Sequence, residues 1–134
     1  MIITLMKENM KKILLTTIIM LVIYSCRSNT ELNMERGEYF YQIGKLEQAT
    51  LEYNKVVGHY SNRSKLSYES TQILANAHHN LAVIWFKRGY QSNDEIEKMS
   101  YLGIANMEAK RSYYLQPKDV YKETWDKIQK AMKQ

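Results

Sequence analysis

Apolar and polar positions along this chain follow the period of helices, and no stretch shows the alternation of a strand. The beginning stands apart. Met10-Lys11-Lys12 leads into an apolar run over residues 13–23 interrupted only by Thr16 and Thr17. Beyond it the pattern predicts five helices. The first, about 30–43, sets Leu32, Tyr39, Phe40 and Ile43 on one side, and the second, about 46–59, carries the stripe Leu46, Ala49, Tyr53, Val56 and Val57. The third, about 67–88, holds Ile73, Leu74, Ala77, Leu81, Ile84 and Trp85, with Gly89 expected to cap its end. Ser92-Asn93-Asp94-Glu95 opens the fourth with capping residues and acids at the positive end of the helix dipole, and Pro117 stops it just after Leu115. The fifth, about 118–132, shows Tyr121, Trp125, Ile128 and Met132 at helical spacing. The expected class is all-α.

Composition agrees with that reading. One proline and five glycines in 134 residues are too few for an all-β domain full of tight turns. The charged start, short apolar run and small Ser25 form the pattern of a secretory signal peptide over residues 1–25, with Met10 as an alternative start. A run this short does not span a bilayer as a helix, which needs roughly 20 apolar residues. What remains is one modest domain, residues 30–134, after a short segment 26–29. The net charge of +5 includes Lys7, Lys11, Lys12 and Glu8 of the leader, so the domain itself is less basic than the whole chain. With export expected and no clustered Lys/Arg stripe, nucleic acid is excluded as the expected partner.

Ile23-Tyr24-Ser25-Cys26 resembles a bacterial lipobox, whose cysteine is acylated and becomes the mature N-terminus. Cys26 is the chain's single cysteine, so it has no partner for an intramolecular disulfide, and acylation gives it a role. Ser28-Asn29-Thr30-Glu31 then has the spacing of a capping box, so a helix starts almost at once and the tether is short. Arg27 stands where an aspartate would signal inner-membrane retention in some bacteria, which points to the periplasmic face of the outer membrane.

Two helix pairs share a residue grammar. In the first, Gly37-x-x-Phe40 is followed by Gly44-x-Leu46 and then Ala49-x-x-x-Tyr53. In the second, Leu81-Ala82-x-x-Trp85 and Gly89 are followed by Ala105-x-x-x-Ala109 and Pro117. Small residues let helices cross closely, and the aromatics fill the space between neighbouring pairs. This pattern resembles the tetratricopeptide repeat, a helix–turn–helix unit of about 34 residues. Asn33 and Arg36 stand where that pattern prefers Trp and Leu, and Ser61 where it prefers Pro. The second pair is longer, with about eleven extra residues between Trp85 and Ala105, as in a lengthened hairpin. The resemblance implies tetratricopeptide-like antiparallel hairpins, an α-solenoid fragment, closed by a C-terminal capping helix.

Chemistry is sparse. His78-His79 is the one histidine pair, and adjacent helical residues point about 100° apart, too far to chelate one metal. His78 falls where the repeat holds an aromatic, which favours packing. Glu69-Ser70 occurs without the downstream segment of a lytic transglycosylase, and Asp94-Glu95-x-Glu97 lacks the spacing of a calcium loop. No cofactor, metal or catalytic residue is expected, and the chain is not read as an enzyme.

The resemblance implies a groove lined by the first helix of each pair: Met34, Glu38, Tyr41 and Gln42, then Asn76, His79, Asn80, Val83, Phe86 and Lys87. Such a groove takes a peptide or helix of an envelope protein. The function expected is a membrane-anchored adaptor or assembly factor, in a homo-oligomer or larger complex, for example a secretion, transport or periplasmic motor assembly. The alternative is an accessory lipoprotein of a solute transporter, holding a small ligand in an enclosed pocket.

Overall fold

The structure, a computed structural model, describes residues 1–24 and 28–134, and the side chains of all of these except 20–24. It is all-helical, with α1 (Ile2–Tyr24), α2 (Asn29–Gln42), α3 (Leu46–Tyr60), α4 (Tyr68–Gln91), α5 (Glu95–Leu115) and α6 (Asp119–Ala131). The expected leader therefore contains α1, which among the described residues packs against none of the other helices. Among the described residues no helix is long and apolar enough to cross a membrane. Cys26 lies outside the described residues, so the lipidation site has no structural account.

Local chemistry sets the helix ends. Ser28 accepts the amide of Glu31 at 3.3 Å while the Glu31 carboxylate accepts the amide of Ser28 at 3.1 Å, the reciprocal capping box that the spacing predicts. Gly44, at φ +78°, ends α2 in a left-handed turn that L side chains avoid. There the amides of Lys45 and Gly44 reach back to the carbonyls of Phe40 and Tyr41. Ser67 caps α4 and Asp94 caps α5, the latter by accepting the amide of Glu97 at 2.8 Å. One expectation is corrected. Gly89 does not end its helix, because α4 continues to Gln91. Gly89 is buried, and a Cβ there would lie 3.1 Å from the Leu102 side chain, so the glycine serves the approach of α5.

Each hairpin closes over small residues. The Tyr53 ring lies against Gly37, where a Cβ would come within 2.6 Å of it. Ala49, Tyr53, Leu81 and Ile84 form one core cluster linking α3 to α4. Ala82, Ala105, Ala109 and Ile128 form another that seats α6. A third cluster joins Val56 and Tyr60 to Leu74 and Ala77, with Leu115 against it. The helices α2 with α3, and α4 with α5, pair as antiparallel hairpins; α3 lies on α4, and α6 lies on α5 with a lesser contact to α4. In the second hairpin His78 faces Glu108 and Trp85 stacks on Tyr101, so the numbering falls along α5 as it rises along α4.

Candidate functional site

The arrangement leaves α2 and α4 side by side and parallel. Residues of the two helices meet in rising order: Met34 and Glu38 share one hollow with Asn76 and Asn80, and Tyr41 shares the next with Val83. The first of these hollows is a cleft of about 400 Å³ that also takes in Glu35, Tyr39 and Gln42. Its lower continuation, about 440 Å³, runs past Glu31 and Ile73. Both hollows are open troughs rather than enclosed cavities.

The floor is rigid. Tyr53, almost fully buried, rises from α3 between the two walls, and its hydroxyl donates to Glu38 at 3.4 Å. Burial first, and the Glu38 charge second, push the ionisation of Tyr53 far up, so it stays a neutral donor. Glu38 also accepts from the Gln42 amide at 3.0 Å. Its carboxylate is thus held between two neutral donors. At the upper end Lys87 places its Nζ 5.2 Å from the centre of the Tyr41 ring, a cation–π contact spanning the two helices.

Eight of the ten sequence-predicted groove residues meet along this cleft: Met34, Glu38, Tyr41 and Gln42 from α2, and Asn76, Asn80, Val83 and Lys87 from α4. The other two turn toward α6. His79 stacks on Tyr121 with ring centres 4.8 Å apart, and Phe86 packs beside the Ala82–Ile128 cluster and against Tyr90. Burial lowers the pKa of His79 below its ordinary 6.5, so its ring favours the neutral form. Tyr53, Glu31, Glu35, Tyr39 and Ile73 complete the lining and escaped the sequence reading. Glu31 and Glu35 follow from the helical spacing of Glu38 and Met34, but Tyr53 belongs to a second helix of the pair and gives no such signal.

A second polar feature is buried. His78 Nδ1 and the Glu108 carboxylate meet at 2.5 Å between α4 and α5, and Arg111 donates to the other Glu108 oxygen at 2.9 Å. The repeat pattern gave His78 a packing position, and it is buried there, but with the carboxyl of Glu108, thirty residues away, as its partner. Among the described residues no group of histidines, cysteines or carboxylates is placed to hold a metal ion. Compared with family models, curated proteins and solved structures, the chain finds no match.

Proposed function

We propose that this chain is a bacterial lipoprotein of tetratricopeptide-like build that holds a partner protein of the cell envelope in the α2–α4 cleft. Acylation of Cys26 fixes its place at the membrane, and the cleft recruits. The observation that carries the reading is the parallel alignment of α2 and α4 over the buried Tyr53. An aromatic, amide and acidic lining with Lys87 at its upper end suits an extended or helical segment more than a small solute. The connectivity supports the tetratricopeptide likeness: each helix packs on the next, and α2, α4 and α6 touch in succession. Two pairs and a last helix make a short array, so a larger assembly adds the buried surface it lacks.

Two experiments test this. Cys26→Ala releases the protein from the membrane fraction or leaves it unprocessed; an acyl-labelled, membrane-bound product in that variant removes the lipoprotein reading. Lys87 is exposed and Asn80 is half-buried beside Tyr53, so Asn80→Ala with Lys87→Ala costs folding no more than about 1 kcal/mol. The same pair weakens capture of the partner from native membranes. Intact capture that disappears on changing Tyr121 or Trp125 instead moves the interface to α6.

A further inference from the structure

The helices α2, α4 and α6 all begin at one end of the domain. Tyr60, in the last turn of α3, shares a hydrogen bond of 3.3 Å with Thr30 in the first turn of α2. Leu66 and Leu115 pack against the cluster that holds Tyr60, so the loops 61–67 and 116–118 lie at this end too. Those two loops carry Arg63, Lys65 and Lys118 and no carboxylate. Lys110 and Arg111, near the end of α5, rim an open trough of about 570 Å³ whose apolar lining includes Leu74, Met107 and Leu115.

We infer that this end of the domain is a docking surface for an anionic lipid bilayer. Three of the cations lie over aromatic rings: Arg63 over Tyr60, Lys110 over Tyr114 and Lys118 over Tyr121, each 5.5–5.8 Å from the ring centre. Tyr68 and Tyr114 are 75% and 68% exposed, rings of the kind that settle at a membrane–water boundary. The carboxylates in the neighbouring turns, Glu31, Glu69 and Asp119, sit in the first turns of α2, α4 and α6, where the helix dipole offsets about half of their charge. Glu108 is turned inward to His78 and Arg111.

A bilayer, rather than a soluble anion, follows from chain direction, and here the inference rests on the lipoprotein reading. Ser28 caps α2 at this end and stands two residues after Cys26. Two residues reach roughly 7 Å when extended. That is about one Debye length at physiological salt, so these cations would feel the surface charge of the leaflet that holds the anchor. Each basic residue so placed raises partitioning roughly fivefold.

The test uses residues 28–134, whose core includes nothing from α1. It is sedimented with vesicles of phosphatidylglycerol mixed with phosphatidylcholine, and with vesicles of phosphatidylcholine alone. The expected result is binding to the anionic vesicles only, falling as salt rises. Arg63→Glu, Lys65→Glu and Lys118→Glu together reduce that partitioning roughly a hundredfold or more. Lys45→Glu with Lys133→Glu, changed at the opposite end, leaves it nearly as it was. Circular dichroism confirms that each variant keeps its helices. No binding, equal binding to both vesicles, or equal losses in the two variant sets overturns the inference. Vesicles ignored while the triple variant still abolishes partner capture makes this end a protein interface instead. Because this domain lacks Cys26, its outcome is separate from that of the Cys26→Ala fractionation.

Discussion

The two hairpins solve one packing problem at two lengths. In the short one, α2 with 14 residues against α3 with 15, a single aromatic ring over a single glycine closes the crossing. In the long one, α4 with 24 residues against α5 with 21, the alanines at 82, 105 and 109 close the middle. Both extensions then need their own fastening. Toward the loop, Trp85 stacks on Tyr101 and Leu102 sits over Gly89. Toward the other end, the fastening is the buried pair of His78 and Glu108. A longer hairpin is thus more than the short one with turns added; where the short one joins its helices through the hydroxyls of Tyr53 and Tyr60, the long one adds a buried histidine–carboxyl pair.

The largest expected effect tests that pair. Glu108→Leu leaves a buried histidine without its partner and costs about 3 kcal/mol, read by chemical denaturation. His78→Phe combined with Glu108→Leu restores most of that loss, since a buried polar pair replaced by apolar groups of similar size is often near neutral. A cost for Glu108→Leu no greater than that of an exposed change would mean that the alanine crossing alone holds the long hairpin.

Next come the crossings. Ala82→Leu or Ala105→Leu overpacks a fully buried contact and costs on the order of 1–3 kcal/mol. Gly37→Ala belongs with them despite the gain of about 1 kcal/mol that alanine brings to a helix interior, because its Cβ would meet a buried ring at 2.6–2.9 Å. Gly89→Ala sharpens the contrast. There the neighbour is the end of the Leu102 side chain at 3.1–3.2 Å, which needs to yield only a few tenths of an ångström. The helix-propensity gain offsets the contact, and the melting temperature stays nearly level. Equal losses at the two glycines would erase the distinction between the hairpins.

The smallest effect is a pH dependence. Burial lowers the pKa of His79, so the unfolded chain binds a proton more readily than the folded one. This contribution is complete above pH 6.5, the ordinary value, and is lost progressively as the pH falls toward the lowered folded value. His79→Phe flattens that part of the stability profile. A profile unchanged by the substitution assigns the acid sensitivity to other groups.

Helix limits were legible because the apolar period and the caps are local. Ser28 and Glu31 lie three residues apart and meet as their spacing predicts, and the observed bounds fall within a few residues of the expected ones. The expected crossing residues Gly37, Ala49, Ala82 and Ala105 are all buried, since a missing side chain within an apolar stripe marks a close approach. Gly89 misled because a glycine near a helix end reads equally as a cap or as a contact, and only the position of Leu102 decides between them. The bond between His78 and Glu108 was illegible for another reason: a pair thirty residues apart has no local spacing to betray it. For the cleft, the resemblance to the repeat pattern, not the period, put the expected walls on the first helix of each pair, while the floor came from Tyr53 on α3. The turning of His79 and Phe86 toward α6 likewise depended on a helix far along the chain.

The order of contacts has a kinetic consequence. Among the described residues no helix of the domain packs on another more than two places away in the chain, so every loop that folding must close is short or of medium length. Topologies of this kind fold in microseconds to milliseconds. The order of completion is set too. The first hairpin can close as soon as α3 has been delivered, but Leu81 and Ile84, which complete the cluster around Tyr53, arrive only with α4. A chain emerging N-terminus first would therefore hold an unfinished hairpin until α4 follows it, and a pause in delivery after Tyr60 would leave its apolar face open to other proteins.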